Sequence, residues 1–171
     1  MSAGCCSEVF DGPGGVDRFL PQALLGEEQR PWLTAAYYAV NGATVLGLLG
    51  VALSPRLLSL RAVLPPLMLG AAVSLPVNAA FLIEIAAPTL LHLPYHHCPY
   101  DLVPGAPESM VGVALYFLGL FAVGWACVAA WAADAPETRS FLPGSIGKVL
   151  FLGLFGYLGS LVFMIVELAL A

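Results

Sequence analysis

Charged residues are scarce in this sequence. Asp, Glu, Lys and Arg together make up 10% of the 171 residues, where soluble domains contain about 25%, and hydrophobic residues make up 60%. The mean hydropathy is +0.89. Such a chain has too few polar side chains for an ordinary soluble domain, and the composition therefore predicts an integral membrane protein.

Basic residues are scarcer still. The six Lys and Arg residues are scattered and form no patch that could neutralise a run of phosphates, which excludes nucleic acid as a partner. The glycines form no phosphate-binding loop, so nucleotides are excluded too, and no motif for hydrolysis or phosphoryl transfer is present. The expected partner is the lipid bilayer, and other subunits of a membrane complex are an open alternative.

Long apolar runs dominate the rest of the chain. Four windows are long enough to cross about 30 Å of hydrocarbon at about 1.5 Å per residue. They cover approximately residues 32–53, 62–88, 110–133 and 149–171. The predicted fold is an all-α, integral membrane four-helix bundle over residues 32–171, preceded by a tail over residues 1–31.

Polar and small residues inside these windows have structural interpretations. Pro76 lies in the middle of the second window and is expected to kink that helix, because it removes a backbone hydrogen bond. Asn41 and Asn78 are expected to hydrogen-bond between helices or to repair the break at Pro76. Two glycine faces are expected to let helices approach closely: Gly42, Gly47 and Gly50 in the first span, and Gly153, Gly156 and Gly159 in the fourth.

The distribution of Lys and Arg among the loops predicts the orientation. Arg56 and Arg61 lie between the first two spans, and Arg139 and Lys148 lie between the last two, so both connections should be cytoplasmic. The connection over residues 89–109 has no Lys or Arg and should lie on the opposite side. We therefore expect an N-out, C-out protein of the cell membrane, taken here to be a bacterial inner membrane.

The tail over residues 1–31 is polar and glycine-rich. It lacks the basic segment and apolar run of a secretory signal peptide, which suggests a mature N-terminus or a start assigned at the wrong residue. Its Arg18 and Arg30 count against an extracytoplasmic tail, but the loops carry the stronger signal.

The outer loop collects the residue types that bind transition metals. All three histidines and one of the four cysteines lie between positions 92 and 98, and thiolate with imidazole suits copper or zinc. In an extended segment His96 and Cys98 point to one side and His97 to the other, so a complete site needs ligands from elsewhere. The candidate ligands are His92, His96, His97, Cys98, Cys5 and Cys6.

The tail cysteines are the expected second source of ligands. Cys5 and Cys6 are adjacent, and a disulfide between them is disfavoured because neighbouring Cα atoms are about 3.8 Å apart where a disulfide wants about 5.5 Å. In an oxidising compartment Cys98 could instead form a disulfide with Cys5 or Cys6. Cys127, inside the third span, is expected to be an inert apolar side chain.

Several acidic residues should lie near the same membrane face. Glu84 and Glu167 are near the outer ends of the second and fourth spans, where an ionisable group is a functional candidate unless it reaches the interface. Asp101 and Glu108 lie in the outer loop. Their position beside the His/Cys loop favours a common site.

Three functions are compatible with these residues. The first is metal handling, of copper type, at the extracytoplasmic His/Cys loop. The second is thiol–disulfide exchange by Cys98 with Cys5 or Cys6, and the third is a non-catalytic subunit in which the loop only anchors at the interface. Haem is disfavoured as a cofactor, since none of the four spans contains a histidine.

Overall fold

Four long helices make up most of the protein. The computed structural model describes residues 30–54, 61–93, 98–132, 137–138 and 140–171, and all regular elements in these ranges are helical. Four helices are long and apolar enough to cross a membrane, as predicted: α1 (Arg30–Leu53), α2 (Leu64–Leu90), α3 (Ser109–Ala132) and α4 (Leu142–Leu170). A 3-10 turn (Pro99–Asp101) and a short helix (Leu102–Gly105) stand between α2 and α3.

Prolines lie in the first turns of α2 and α4. Helix α4 begins at Leu142, although the apolar window begins only at 149, because Pro143 sits in the first helical turn where its missing N–H needs no partner. Helix α2 likewise starts with prolines in its first turn, Pro65 and Pro66. Helix ends are thus set by proline position as well as by hydropathy.

The outward faces of the helices carry large apolar side chains. These residues are exposed although they are bulky and apolar: Trp32, Leu46, Leu69, Phe117, Phe121, Trp125, Phe151 and Phe155. In water such a surface would be an extended hydrophobic patch, whereas in a bilayer it meets lipid chains of the same polarity. The arrangement fits a multi-pass membrane protein.

Helices α3 and α4 touch backbone to backbone. A Cβ added to Gly156 would lie 2.5 Å from the Gly119 nitrogen and 2.7 Å from the Leu115 carbonyl oxygen. The glycine face predicted for α4 is therefore a helix-packing surface, as small residues in membrane helices usually are. The face predicted for α1 is only partly packed: a Cβ on Gly47 would lie 3.0 Å from Leu67 Cδ2, whereas one on Gly42 or Gly50 would have no heavy atom within 4 Å.

Helix α2 changes its backbone hydrogen-bonding pattern near its last turns. The α-helical pattern continues through Pro76 from Leu64 to Phe81. It then changes to a π-helical turn over Leu82–Ala86 and returns to α-helix over Ala87–Leu90. Single π turns inside helices are frequent at functional sites.

Two amides inside the spans connect α1 and α2. Asn78 Nδ2 donates to Asn41 Oδ1 at 3.1 Å and to the Ser74 carbonyl at 2.7 Å. Asn41 Nδ2 donates to the Tyr37 carbonyl at 2.8 Å. The predicted interhelical bond between these amides is confirmed.

Candidate functional site

The end of the bundle where α1 begins and α2 ends, called here the top, carries the described part of the His/Cys loop. Helix α2 ends there with two backbone bonds, from His92 N to the Thr89 carbonyl at 3.2 Å and from Leu93 N to the Pro88 carbonyl at 3.1 Å. These bonds form a Schellman motif, whose second-last residue adopts the left-handed conformation. That residue is His92, with φ of 54° and an exposed side chain.

His92 occupies a position that glycine usually fills. A residue with a Cβ is strained there, and such strain is often concentrated at functional sites. The side chain of His92 is exposed at this end of α2.

Cys98 lies on the other side of the loop and is fully buried. It has a free thiol and an extended backbone and directly precedes the Pro99–Asp101 turn, and its carbonyl accepts a bond from Asp101 N at 3.3 Å. The short helix after that turn buries Leu102 completely in a cluster with Ala87, Leu90 and Met164. This cluster fixes the chain after Cys98 against the top of the bundle.

The remaining predicted ligands lie outside the described residues. These are His96 and His97 in the loop and Cys5 and Cys6 in the tail. Within the described ranges no group of three or more His, Cys, Asp or Glu side chains could hold a metal ion. Any complete site at the top must therefore take ligands from residues 94–97, from the tail, or from both.

Glu84 is buried in the π-helical turn of α2. Its side chain is 8% exposed. Four residues later Pro88 has no N–H to donate to the Glu84 carbonyl, and Arg30 Nη2 from the start of α1 donates to that oxygen instead, at 3.3 Å. Arg30, which counted against an extracytoplasmic tail, thus has a structural role at the top.

The other acidic candidates are less enclosed. Asp101 and Glu167 are half-buried, and Glu108 is exposed. Glu167 lies in the last turn of α4, where its carbonyl accepts a bond from Ala171 N at 3.1 Å. In the part of the chain that the structure describes, these acids and Glu84 do not form one metal-binding group with Cys98.

A second group of polar residues lies in the middle of the bundle, and hydropathy does not predict it. Ser74 Oγ is 3.0 Å from the hydroxyl of Tyr116 and 3.0 Å from that of Tyr157. Because Ser74 donates its single hydroxyl hydrogen to the Ala71 carbonyl at 2.9 Å, both tyrosines must donate to Ser74. This network joins α2, α3 and α4.

A cavity of about 130 Å³ lies next to this network. All four long helices contribute to its lining, which comprises Tyr37, Leu75, Asn78, Ala79, Phe81, Leu82, Val113, Tyr116, Phe117, Ser160 and Met164. The sequence signal for the neighbouring polar network is the placement of Tyr116 and Tyr157 within spans instead of at their interfacial ends.

Comparison with known protein families, curated proteins and solved structures finds no match to this chain.

Proposed function

We propose that this protein handles a soft or borderline metal ion, of copper type, at the top of the bundle, and that the top faces the extracytoplasmic side. The ligands would be Cys98, His96, His97 and His92, with Cys5 and Cys6 as further thiolates. The observation that carries the proposal is a buried free thiol, Cys98, at the end of a seven-residue segment that holds every histidine of the chain.

The position of both loop ends supports this proposal. His92 is held by the helix-ending motif of α2, and Cys98 is held by the packed turn that follows it. His97 precedes Cys98 directly, so their Cα atoms are about 3.8 Å apart. We propose that the two histidines between these fixed ends, His96 and His97, supply further ligands to the same ion.

The burial of Cys98 favours metal binding over thiol exchange. Cysteines that exchange with other thiols are partly exposed, because the attacking thiolate must reach them. Cys98 has 0% exposure. Structural metal sites, in contrast, are closed to solvent, and thiolate with imidazole is a ligand set that copper and zinc accept.

Elemental analysis of the purified full chain tests the proposal. Copper and zinc per chain are measured for the unmodified protein, for Cys98→Ser and for the double variant His96→Ala/His97→Ala. Cys127→Ser is the matched control, because Cys127 is also a free cysteine but lies in α3, where its thiol is 3.6 Å from the Leu64 carbonyl. We expect stoichiometric metal that both loop variants lose and the control keeps.

Two outcomes would replace the proposal. A metal-free protein whose electrophoretic mobility changes on reduction, and no longer does so in Cys98→Ser, would indicate a disulfide from Cys98 to Cys5 or Cys6. A metal-free protein that co-purifies with other membrane proteins and tolerates all loop substitutions would indicate a structural subunit.

A further inference from the structure

The central cavity opens sideways towards the membrane. Two of its lining residues, Leu75 on α2 and Phe117 on α3, are 45% and 55% exposed on the outer surface of the bundle. Ala79 on α2 is exposed beside them. A molecule dissolved in the bilayer could therefore enter between α2 and α3 without crossing water.

Two hydroxyl groups in this cavity have no hydrogen-bond partner among the residues that the structure describes. Tyr37 and Ser160 are 2% and 5% exposed, and both line the cavity. Among the described residues, no hydrogen bond includes the hydroxyl of Tyr37 or that of Ser160. In the described ranges, every fully enclosed side-chain oxygen or nitrogen has a hydrogen-bond partner. The hydroxyls of Tyr37 and Ser160 have none, so they must retain some accessible surface. Because both side chains are deeply buried and line the cavity, that surface faces the cavity.

Ser160 differs in this respect from other hydroxyl residues of the bundle. Thr34 and Thr44 in α1 each donate to a carbonyl one turn earlier, at 3.0 and 2.9 Å. That local bond is the usual way in which a membrane helix satisfies a hydroxyl. Ser160 does not use it, and a buried polar group without a partner is costly, so a ligand in the cavity that bonds this hydroxyl would be stabilised.

A third polar atom completes the arrangement. Asn78 uses both amide hydrogens, on Asn41 and on the Ser74 carbonyl, which leaves its Oδ1 as an acceptor at the cavity. The cavity thus offers two hydroxyls and one acceptor. A ligand hydroxyl matches this set, because it can donate to Asn78 Oδ1 while it accepts from Tyr37 or Ser160.

The size and walls of the cavity favour a single ring. Its volume of about 130 Å³ is close to that of an apolar protein cavity of about 150 Å³ that binds benzene. Tyr37 and Phe81 stack with ring centroids 3.8 Å apart and planes 12° apart, and Tyr116 and Phe117 line another side. Flat aromatic walls of this kind suit a flat ligand.

We propose that this cavity binds a membrane-soluble molecule with a hydroxylated six-membered ring on an apolar tail. The ring hydroxyl bonds with Tyr37, Ser160 and Asn78, and the tail leaves between Leu75 and Phe117 into the lipid. This site is separate from the proposed metal site at the top and does not depend on it.

The test uses two probes that differ by one hydroxyl, 4-hexylphenol and hexylbenzene. Their affinities for the full chain in lipid nanodiscs are measured by saturation-transfer NMR, with empty nanodiscs as the background. We expect 4-hexylphenol to bind about three- to tenfold more tightly, the effect of one or two added hydrogen bonds. The double variant Tyr37→Phe/Ser160→Ala should abolish this preference and still bind hexylbenzene.

Tyr157→Phe is the matched control. It also removes a buried tyrosine hydroxyl, but that hydroxyl bonds to Ser74 and its residue does not line the cavity. It should keep the full preference for 4-hexylphenol. The proposal is overturned if the unmodified protein binds neither probe, if it binds both equally, or if the preference survives in the double variant.

Discussion

Replacing Gly156 with alanine should separate α3 from α4 and destabilise the bundle. The new methyl group would lie 2.5 Å from the Gly119 nitrogen, 2.7 Å from the Gly119 Cα and 2.7 Å from the Leu115 carbonyl oxygen. All three atoms belong to the backbone, so no side chain can rotate away. An ordinary contact is about 3.5–4.0 Å, and the helices would have to move apart by about 1 Å at this point.

The size of this destabilisation can be derived from the cost of overpacking. Forcing extra methyl groups into a packed interior costs about 1–3 kcal/mol, while alanine recovers up to about 1 kcal/mol of helix propensity over glycine. We therefore expect the free energy of unfolding to fall by about 1–2 kcal/mol in Gly156→Ala. Reversible unfolding of the purified protein in mixed micelles with increasing SDS, followed by circular dichroism, measures this difference.

Gly42→Ala is the control for this experiment. A Cβ on Gly42 has open space within 4 Å, so this variant should be as stable as the unmodified protein or slightly more stable. Equal stability of Gly156→Ala and Gly42→Ala would refute the backbone contact between α3 and α4.

Three further substitutions test other parts of the bundle. Ser74→Ala removes the shared acceptor of Tyr116 and Tyr157. It should lower the free energy of unfolding by about 1–3 kcal/mol in the same SDS titration, which is more than Tyr157→Phe does. A loss equal to or smaller than that of Tyr157→Phe would argue against a shared acceptor. Asn78→Leu removes the bond to Asn41 and should lower the free energy of unfolding by about 0.6–1.7 kcal/mol. Adding Asn41→Leu should cause no further loss of stability. Additive losses would mean that the two amides act independently. His92→Gly should leave the protein at least as stable, since glycine adopts the left-handed conformation without strain. The same variant should weaken metal binding at the proposed site. A fall of more than about 1 kcal/mol in the free energy of unfolding would contradict the strained helix end.

The existence of the four helices could be predicted from the sequence because a bilayer requires about 20 apolar residues in a row. The bond between Asn41 and Asn78 could be expected as well, since amides inside spans seek partners on other helices. Which partner each would find depended on the structure. In helices that are apolar on every side, hydropathy does not distinguish the lipid-facing side from the packed side.

Because these helices are apolar on every side, the sequence does not show which residues face a neighbouring helix. Gly42 and Gly156 both lie within apolar spans, yet of the two only Gly156 touches a neighbouring backbone. The contact of Ser74 with Tyr116 and Tyr157 depends on the rotation of three helices and has no signature in any one of them. The π-helical turn around Glu84 likewise results from backbone hydrogen bonding that hydropathy does not report.

The chemistry of the top was only partly predictable for a related reason. The enrichment of His and Cys in residues 92–98 is visible in the sequence, as is their suitability for a soft metal. The strained conformation of His92 and the complete burial of Cys98 are not, because they depend on how α2 ends and how the following turn packs.

The most direct test of the proposed metal site is X-ray absorption spectroscopy at the copper edge of the copper-loaded full chain. We expect nitrogen ligands of the imidazole type together with sulfur ligands, and one fewer sulfur in Cys98→Ser than in the unmodified protein or in Cys127→Ser. A spectrum without sulfur ligands, or one that Cys98→Ser leaves unchanged, would contradict a metal site built on Cys98.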